Sequence, residues 1–390
     1  MVKCLNKIKS SEFGMKVLEK ILPITKNDSA TISHFKQAMI RFNECDTKKD
    51  ASRIREGIQI CKKYWKCYPY HYYICDLYRD DKTLTNKELI DYIPPFYWYY
   101  LFLPHHNSPK FSMIGENKMV MELFFKASKI IQQRNSSILF NGHLYSSDME
   151  QLSFHRVQNE LTYNNFEKIF VKPLEGGGGK GIYIFHKNSQ GHFVTRDNIH
   201  FNEFFLGKIG EKQDYIIQPG IIQDPEISKI YHHSVNTCRI ITENKNGTVR
   251  LVCAMLRMGR GQNEVDNATS GGISTHININ SGKFGDFAIS YDGEKFAKHP
   301  DTQFEFSNQG ISRWNDIKTY TSESAGKLPF FTYLGWDIAL TSDGPVAIEI
   351  NRSPAADIME KTSHGLREEF GIENPDYYWK NLGKRSEHFA

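Results

Sequence analysis

The chain has 390 residues, 39% of them hydrophobic and 24% charged, and 49 basic side chains against 45 acidic ones leave a formal charge of +4. Such proportions belong to a globular protein with room for two or three cores, and so even a charge balance argues against a nucleic-acid binder while allowing a local basic site for phosphates. No window nears the ~20 apolar residues of a membrane span, and Met1 to Ile24 lacks the apolar core of a signal peptide. The seven cysteines, odd in number and without a C-x-x-C pair, indicate neither a zinc site nor a disulfide framework. Reduced thiols in a cytoplasmic protein are the expectation.

Residues 1–112 read as a mainly helical, aromatic-rich N-terminal region. Asp50 to Tyr68 carries Ile54, Ile58, Cys61 and Trp65 at helical spacing, with Asp50 or Ser52 as its cap. Tyr68 to Phe102 is dense in tyrosine and tryptophan, whose flat faces suit either a core or sugar rings. Within it, Ile93 to Pro104 is too short to span a bilayer and reads as a buried seam or an interfacial membrane contact. His105 to Pro109 reads as a linker. Glu116 to Gln133 then puts Val120, Phe124, Ala127 and Ile131 on one helical face, with Lys118 at its start.

From Leu161 onward strands dominate: 169–171, 182–185, 215–218, 238–242 and 249–258. Asp337–Leu340 and Val346–Ile350 make a further pair joined by the turn at Ser342, Asp343 and Gly344, and Pro354 to Phe370 returns to helix. Helices followed by paired strands indicate an α+β fold rather than a doubly wound sheet.

The stretch Phe166 to Phe185 is the most informative. An apolar run ends at Lys172; Gly176, Gly177, Gly178 and Gly179 follow, then Lys180 and Gly181, then a second apolar run. A plain hairpin needs two turn residues, so this many glycines suggest backbone N–H groups brought close to a phosphate chain, the alternative being a floppy tip. A Rossmann loop is excluded because a strand follows where a helix is required. A Walker A loop is excluded because Leu174 stands at its first glycine and Gly181 at its Ser/Thr. A protein-kinase loop would bring H-R-D and D-F-G segments, which are missing.

A second constellation lies between Gly335 and Pro354. Glu349 and Asn351, two apart on a strand, face one side of the sheet, and the antiparallel return brings Asp337 alongside them. Two carboxylates and an amide form an all-oxygen site suited to Mg²⁺, although Asp and Asn are also ordinary strand-end residues. Phosphoryl transfer accumulates negative charge on equatorial oxygens, so positioned cations are the protein's main contribution. Arg239 and Arg257 are the catalytic candidates for the phosphoryl group and a substrate carboxylate, in either order, or else they pair with surface carboxylates. Asn236 and Arg260 neighbour them. The loop Asp266 to Gly272, with Ser270, Gly271 and Gly272, either presents N–H groups to an acyl phosphate or is an ordinary turn.

These segments together resemble the ATP-grasp superfamily: VKP before a glycine-rich hairpin, the strand YIIQP, and a terminal D…E-x-N hairpin. More narrowly, SVNTCRIIT, LVCAMLRMGRG, VDNATSGGI and GWDIALTSDGPVAIEINRSP resemble the sugar-transfer-associated ATP-grasp proteins, over roughly residues 113–370. The resemblance implies an ATP-grasp domain over 113–383, ATP and Mg²⁺ as cofactors, and a carboxylate–amine ligase working through an acyl phosphate in polysaccharide or secondary-metabolite biosynthesis. It places Lys172 and Lys118 on the phosphates, the loop Gly176 to Gly181 over them as a lid, and Gln218 to Ile221 at the adenine hinge, where the family often has Glu in place of Gln218. Glu226 is the candidate for the ribose. Many members carry Arg two residues before the metal Asp; Gly335 stands there, which leaves that task to Arg239, Arg257 or Arg352. Small carboxylate and amine substrates, possibly sugar-linked, are the expected partners. The competing readings are a phosphotransferase acting on a hydroxyl and a non-catalytic nucleotide-binding module.

Overall fold

The computed structural model describes residues 29–381; the N-terminal stretch through Ile24 and Cys4 lie outside the described residues. Two helices open the described chain, α1 (Ser29–Glu44) and α2 (Ala51–Trp65). Asp50 caps α2 by accepting from the Ser52 and Arg53 N–H groups, and Lys66, with φ 56°, ends it. Short helical turns then carry the aromatic segment, which is core. Trp65, Tyr72, Tyr78, Tyr97, Trp98 and Phe102 are fully buried. They share one core with Ile241, Val252, Met255, Tyr333 and Phe370 from the later part of the chain, so these rings present neither a sugar platform nor a membrane face.

The segment His105 to Pro109 is not a loose linker. Asn107 is buried, donates to Tyr333 O and Arg352 O (both 2.7 Å), and accepts from Thr332 N and Tyr333 N (both 3.0 Å). Its amide imitates a strand's hydrogen-bond edge and clasps the segment to the sheet. The helix expected over 116–133 is shorter, α3 (Lys118–Ala127), because Asn117 caps it and Lys129 turns left-handed at φ 54°. The following residues run extended, with Gln133 N donating to Ala347 O.

Two seven-stranded antiparallel sheets follow. The first contains β1 (Ser137–Phe140), β2 (His143–Tyr145), β3 (Gln151–Leu152), β4 (Lys168–Pro173), β5 (Tyr183–Lys187), β6 (Phe193–Val194) and β7 (Tyr215–Pro219), in the order β3-β2-β1-β7-β4-β5-β6. One face packs Leu139, Ile169, Val171 and Ile217 against α4 (Phe154–Tyr163) and α5 (Glu203–Gly210). Strand alternation therefore turns Lys168, Phe170, Lys172 and Gln218 to the opposite face. The second sheet contains β8 (Thr237–Lys245), β9 (Thr248–Met258), β10 (Ile273–Ile277), β11 (Phe284–Ser290), β12 (Lys295–Phe296), β13 (Tyr333–Thr341) and β14 (Gly344–Asn351). Its order is β12-β11-β10-β9-β8-β13-β14, and α6 (Trp314–Gly326) and α3 cover its apolar side.

Every strand expected from the sequence falls on one of these, the one over 182–185 starting one residue later at Tyr183, so the mixed helix-and-sheet class holds. The C-terminal helix is cut to α7 (Ala356–Thr362). Beyond it Gly365 is pressed onto the backbone of Asp91, where a Cβ would lie 2.4 Å from the carbonyl carbon.

Candidate active site

The two sheets face each other across a cleft lined by charged side chains of both. Lys118, Phe170, Lys172, the glycines 176–179, Lys180, Gln218 and Ile221 line one side; Thr237, Arg257, Asp266, Asn267, Asp337 and Glu349 line the other. The hairpin between β4 and β5 needs its glycines, since Gly176, Gly178, Gly179 and Gly181 all have φ between 70° and 95°. Its base is fastened to α3: Lys118 N donates to Leu174 O, and Lys118 Nζ to Gly176 O at 3.2 Å. Its tip meets the 266–272 loop, a Cβ at Gly179 falling 2.8 Å from Asn267 Nδ2. Gly181 packs on Pro173 at the hairpin's foot.

Asp337 and Glu349 are register partners on β13 and β14, and Asp337 also stands opposite Arg239 on β8. Arg239 grips Asp337 through Nε (2.5 Å) and Nη2 (2.8 Å), while Arg257 Nη1 reaches both carboxylate oxygens at 3.3 Å. Burial would raise the Asp337 carboxyl, but the two guanidiniums hold it below the usual range. Arg257 is a hub: its Nη2 also donates to Asp266 Oδ1 (3.3 Å) and to Asn267 Oδ1. Asp266, itself pushed up by burial against Arg257, takes the Thr237 hydroxyl. In the sequence Asp266 and Asn267 are recognisable only as parts of a loop; their contact with Arg257 is not announced by spacing.

Glu349 differs from Asp337. Burial raises its carboxyl, and only the more distant charges of Lys118, Arg239 and Lys172 oppose that. Lys172, half-buried with Nζ 5.1 Å from the Phe170 ring centroid, is pushed down to about 8 by burial, with Glu349 opposing and Lys118 adding to the shift. Asn351 is the register partner of Gly335, two residues past Glu349, outside the lining of the cleft. Among the described residues no three His, Cys, Asp or Glu side chains gather into a ready-made cage. A carboxylate pair with one member lacking a direct partner fits a hard divalent cation that keeps water or phosphate oxygens for the rest of its shell.

Four expected site residues turn elsewhere. Glu226 accepts from Ser312 N (3.1 Å) and Ser312 Oγ (2.5 Å), because the short helix Pro225–Ser228 directs it toward the start of α6. The Asn236 amide is buried against Ile227 O (2.9 Å) and Tyr231 O (2.8 Å), holding the turn that follows β7. Arg260 donates to Gly271 O at 2.7 Å and lies over Phe296, bracing the loop from behind. Arg352 pairs with Glu116 at 2.5 Å on the surface. Ser270 and Gly271 spend their carbonyls on Asn263 and Arg260, and Gly272 N donates to Asn267 O, so the loop is a braced turn with only its first residues on the cleft.

The far end of the cleft holds a charged cluster that sequence spacing does not announce. Lys168 Nζ (3.0 Å) and His186 Nε2 (2.8 Å), from facing positions of β4 and β5, hold Glu264 across the gap. Only Lys168, four residues before Lys172 on one strand face, leaves a trace of it in the sequence.

Two antiparallel sheets that close a glycine-rich hairpin over a lysine-and-carboxylate cleft define an ATP-grasp protein. The chain belongs to the sugar-transfer associated ATP-grasp family, whose pattern matches residues 102–371, and ATP and Mg²⁺ are the cofactors of that family. No curated protein matches the sequence. Solved structures similar to it include N5-carboxyaminoimidazole ribonucleotide synthetase in an ADP complex, at 9% identity and TM-score 0.37 over 62% of this chain and 46% of that one. The biotin carboxylase domain of Hydrogenobacter thermophilus 2-oxoglutarate carboxylase has 11% identity and TM-score 0.40 over 72% and 48%. D-alanyl-alanine synthetase A from Vibrio cholerae has 14% identity and TM-score 0.40 over 71% and 68%. The chain thus spans about half the length of the first two, at 46% and 48%. Among the described residues no helix is long and apolar enough to cross a membrane.

Proposed function

We propose that the protein is an ATP-dependent ligase that joins a small carboxylate to an amine through an acyl phosphate, in the cytoplasmic assembly of a polysaccharide or secondary metabolite. The observation that carries this reading is the convergence of Lys118, Lys172, the glycine hairpin, Asp337, Glu349 and Arg257 on one cleft. In it, backbone N–H groups of the hairpin and the two lysines bind the triphosphate, while Gln218 to Ile221 lie along the base. Asp337 and Glu349 would hold Mg²⁺, which when bound would neutralise phosphate charge.

A carboxylate oxygen attacks the γ-phosphorus, and ADP leaves. The amine then attacks the acyl carbon, phosphate departs, and the amine loses its proton. Arg257 and Arg239 place positive charge where the transferring group and the substrate carboxylate meet.

The test is product analysis across panels of amino acids and uronic acids as carboxylates, each with candidate amines. A ligase releases ADP together with free phosphate only when both co-substrates are present, whereas a phosphotransferase releases ADP with a phosphoester and no free phosphate. Asp337→Asn and Glu349→Gln should each lower Mg²⁺-dependent turnover by about 100-fold or more while the circular dichroism spectrum stays unchanged. Near-normal turnover in both variants would put the metal elsewhere.

A further inference from the structure

The connection from β9 to β10, residues 259–272, crosses the cleft between the two sheets. Its first part is an arm fastened at the root. The Tyr231 hydroxyl is shared between Gly261 O (2.7 Å) and Asn263 O (3.0 Å), and Gly261 N donates to Asp301 Oδ2 at 2.7 Å. Asn263 Nδ2 donates to Ser270 O at 2.6 Å and closes the arm on itself. At its end Glu264 reaches the first sheet. Glu264 Oε1 lies 3.0 Å from Lys168 Nζ on β4, 2.8 Å from His186 Nε2 on β5 and 3.7 Å from Arg196 Nη2 just past β6. Arg196 Nη1 also donates to Gln262 O at 3.1 Å. Burial would raise the Glu264 carboxyl, but the bonds from Lys168 and His186 hold it below the usual range.

The same arm carries the seat of Arg257. Asp266 and Asn267 both accept from Arg257 Nη2, and Asn267 is also the residue that the hairpin tip meets at Gly179. From Glu264 to Asn267 is three residues, at most about 11 Å of chain, so neither end can shift far without moving the other. The contact that holds the outer end is of a kind that opens easily. The Glu264 side chain is only 8% exposed, but those of His186 and Arg196 are 37% and 55% exposed, and ion pairs this open cost little to break and remake. β5 leads directly out of the glycine hairpin, so the cations that grip Glu264 travel with the hairpin's own sheet.

We propose that Glu264 is a positioning residue: clasped by Lys168, His186 and Arg196, it ties closure of the first sheet over the cleft to the seating of Arg257 for phosphoryl transfer. This rests on the nucleotide-dependent reading given above. The clasp touches neither metal carboxylate, and its effect passes along the chain from residue 264 to residue 267.

Lys168→Met is the sharpest variant, because Lys168 bonds to Glu264 and to His233 O (3.3 Å), neither of which is a partner of Arg257. The probes are magnesium ADP alone and magnesium ADP with aluminium fluoride, which imitates the transferring phosphoryl group, titrated into the whole protein by calorimetry. The natural protein should bind the fluoride complex at least about tenfold tighter than ADP. Glu264→Gln and Lys168→Met should each cut that gain below about threefold while ADP affinity stays within about twofold, and the double variant should do no more than either alone. Hydrogen exchange at the Ser270 and Gly272 amides, both bonded to Asn267 O, should quicken by about threefold or more in each variant with the melting temperature nearly unchanged. Should Glu264→Gln fail to fold, Lys168→Met decides. A loss of ADP affinity that accounts for the whole effect would make the cluster a nucleotide contact and overturn the proposal. So would a full gain or unquickened exchange in folded Lys168→Met, or no gain in the natural protein; each of these leaves the nucleotide site standing. Binding of neither complex by the natural protein overturns the nucleotide reading itself and the proposal with it.

Discussion

Lys172 shows how a single ammonium can be tuned by where its strand puts it. On the cleft face of β4 it is half-buried beside Phe170, and burial pushes it down to about 8 despite Glu349. Because the folded value lies below the ordinary 10.5, the free protein binds fewer protons than the unfolded chain and gains stability between about pH 8 and 10.5. Binding reverses the sign: a polyanion favours the charged form, so ATP affinity should hold steady below pH 7 and fall as pH rises through about 8. Titrations near pH 8 in buffers of different ionisation enthalpy should reveal proton uptake on binding. Lys172→Arg, charged throughout, should abolish both the uptake and the decline, and Lys172→Ala should weaken ATP binding by about tenfold or more at pH 7. A flat affinity from pH 7 to 9 in the natural protein would mean that this ammonium does not meet the phosphates.

At the scale of an element, the hairpin between β4 and β5 joins two demands that four glycines meet together: left-handed backbone and close approach to another loop. Gly179 has φ 76° and lies against Asn267, which is itself bonded to Arg257. A methyl there would cost about 1–2 kcal/mol in backbone strain and would push the tip away from Asn267. Since the tip is exposed and carries little of the core, Gly179→Ala should move the melting temperature by no more than about 2 °C while lowering ATP turnover by about tenfold. Unchanged turnover would show that the tip need not settle on the 266–272 loop.

What could be read beforehand follows the same physics. The hairpin, the strands and the Asp337–Glu349 pairing are local patterns, visible as period-two apolar runs and turn residues. Glu226, Asn236, Arg260 and Arg352 had suitable chemistry close in sequence to the site, yet each is captured by a neighbour that no spacing announces. Asn107 likewise looked like part of a linker because its partners lie more than 200 residues away.

Across the whole molecule, the early helical segment and the late part of the chain are bound into one core, and Glu360 sits at that junction. It is fully buried on α7, where Oε1 accepts from Ile93 N (2.9 Å) and Leu366 N (3.1 Å), while Oε2 has no partner among the described residues. Burial pushes this carboxyl well above the usual range, with the two N–H groups acting against the shift. A folded value above the unfolded one means that the protonated form is favoured by folding. The contribution is therefore complete below about pH 4.3, the unfolded carboxyl's range, and is lost progressively as pH rises toward the folded value. Glu360→Gln keeps an oxygen for both N–H groups and cannot ionise. Urea unfolding should show the variant matching the natural protein near pH 4 and exceeding it at pH 8 by about 1–2 kcal/mol with an unchanged m-value. The early and late segments should also separate from each other more readily in the natural protein as pH rises, seen as faster hydrogen exchange at Ile93 and Leu366, with the variant unaffected. If the two proteins keep the same stability difference at both pH values, the carboxyl stays in one protonation state throughout and the junction carries no pH dependence.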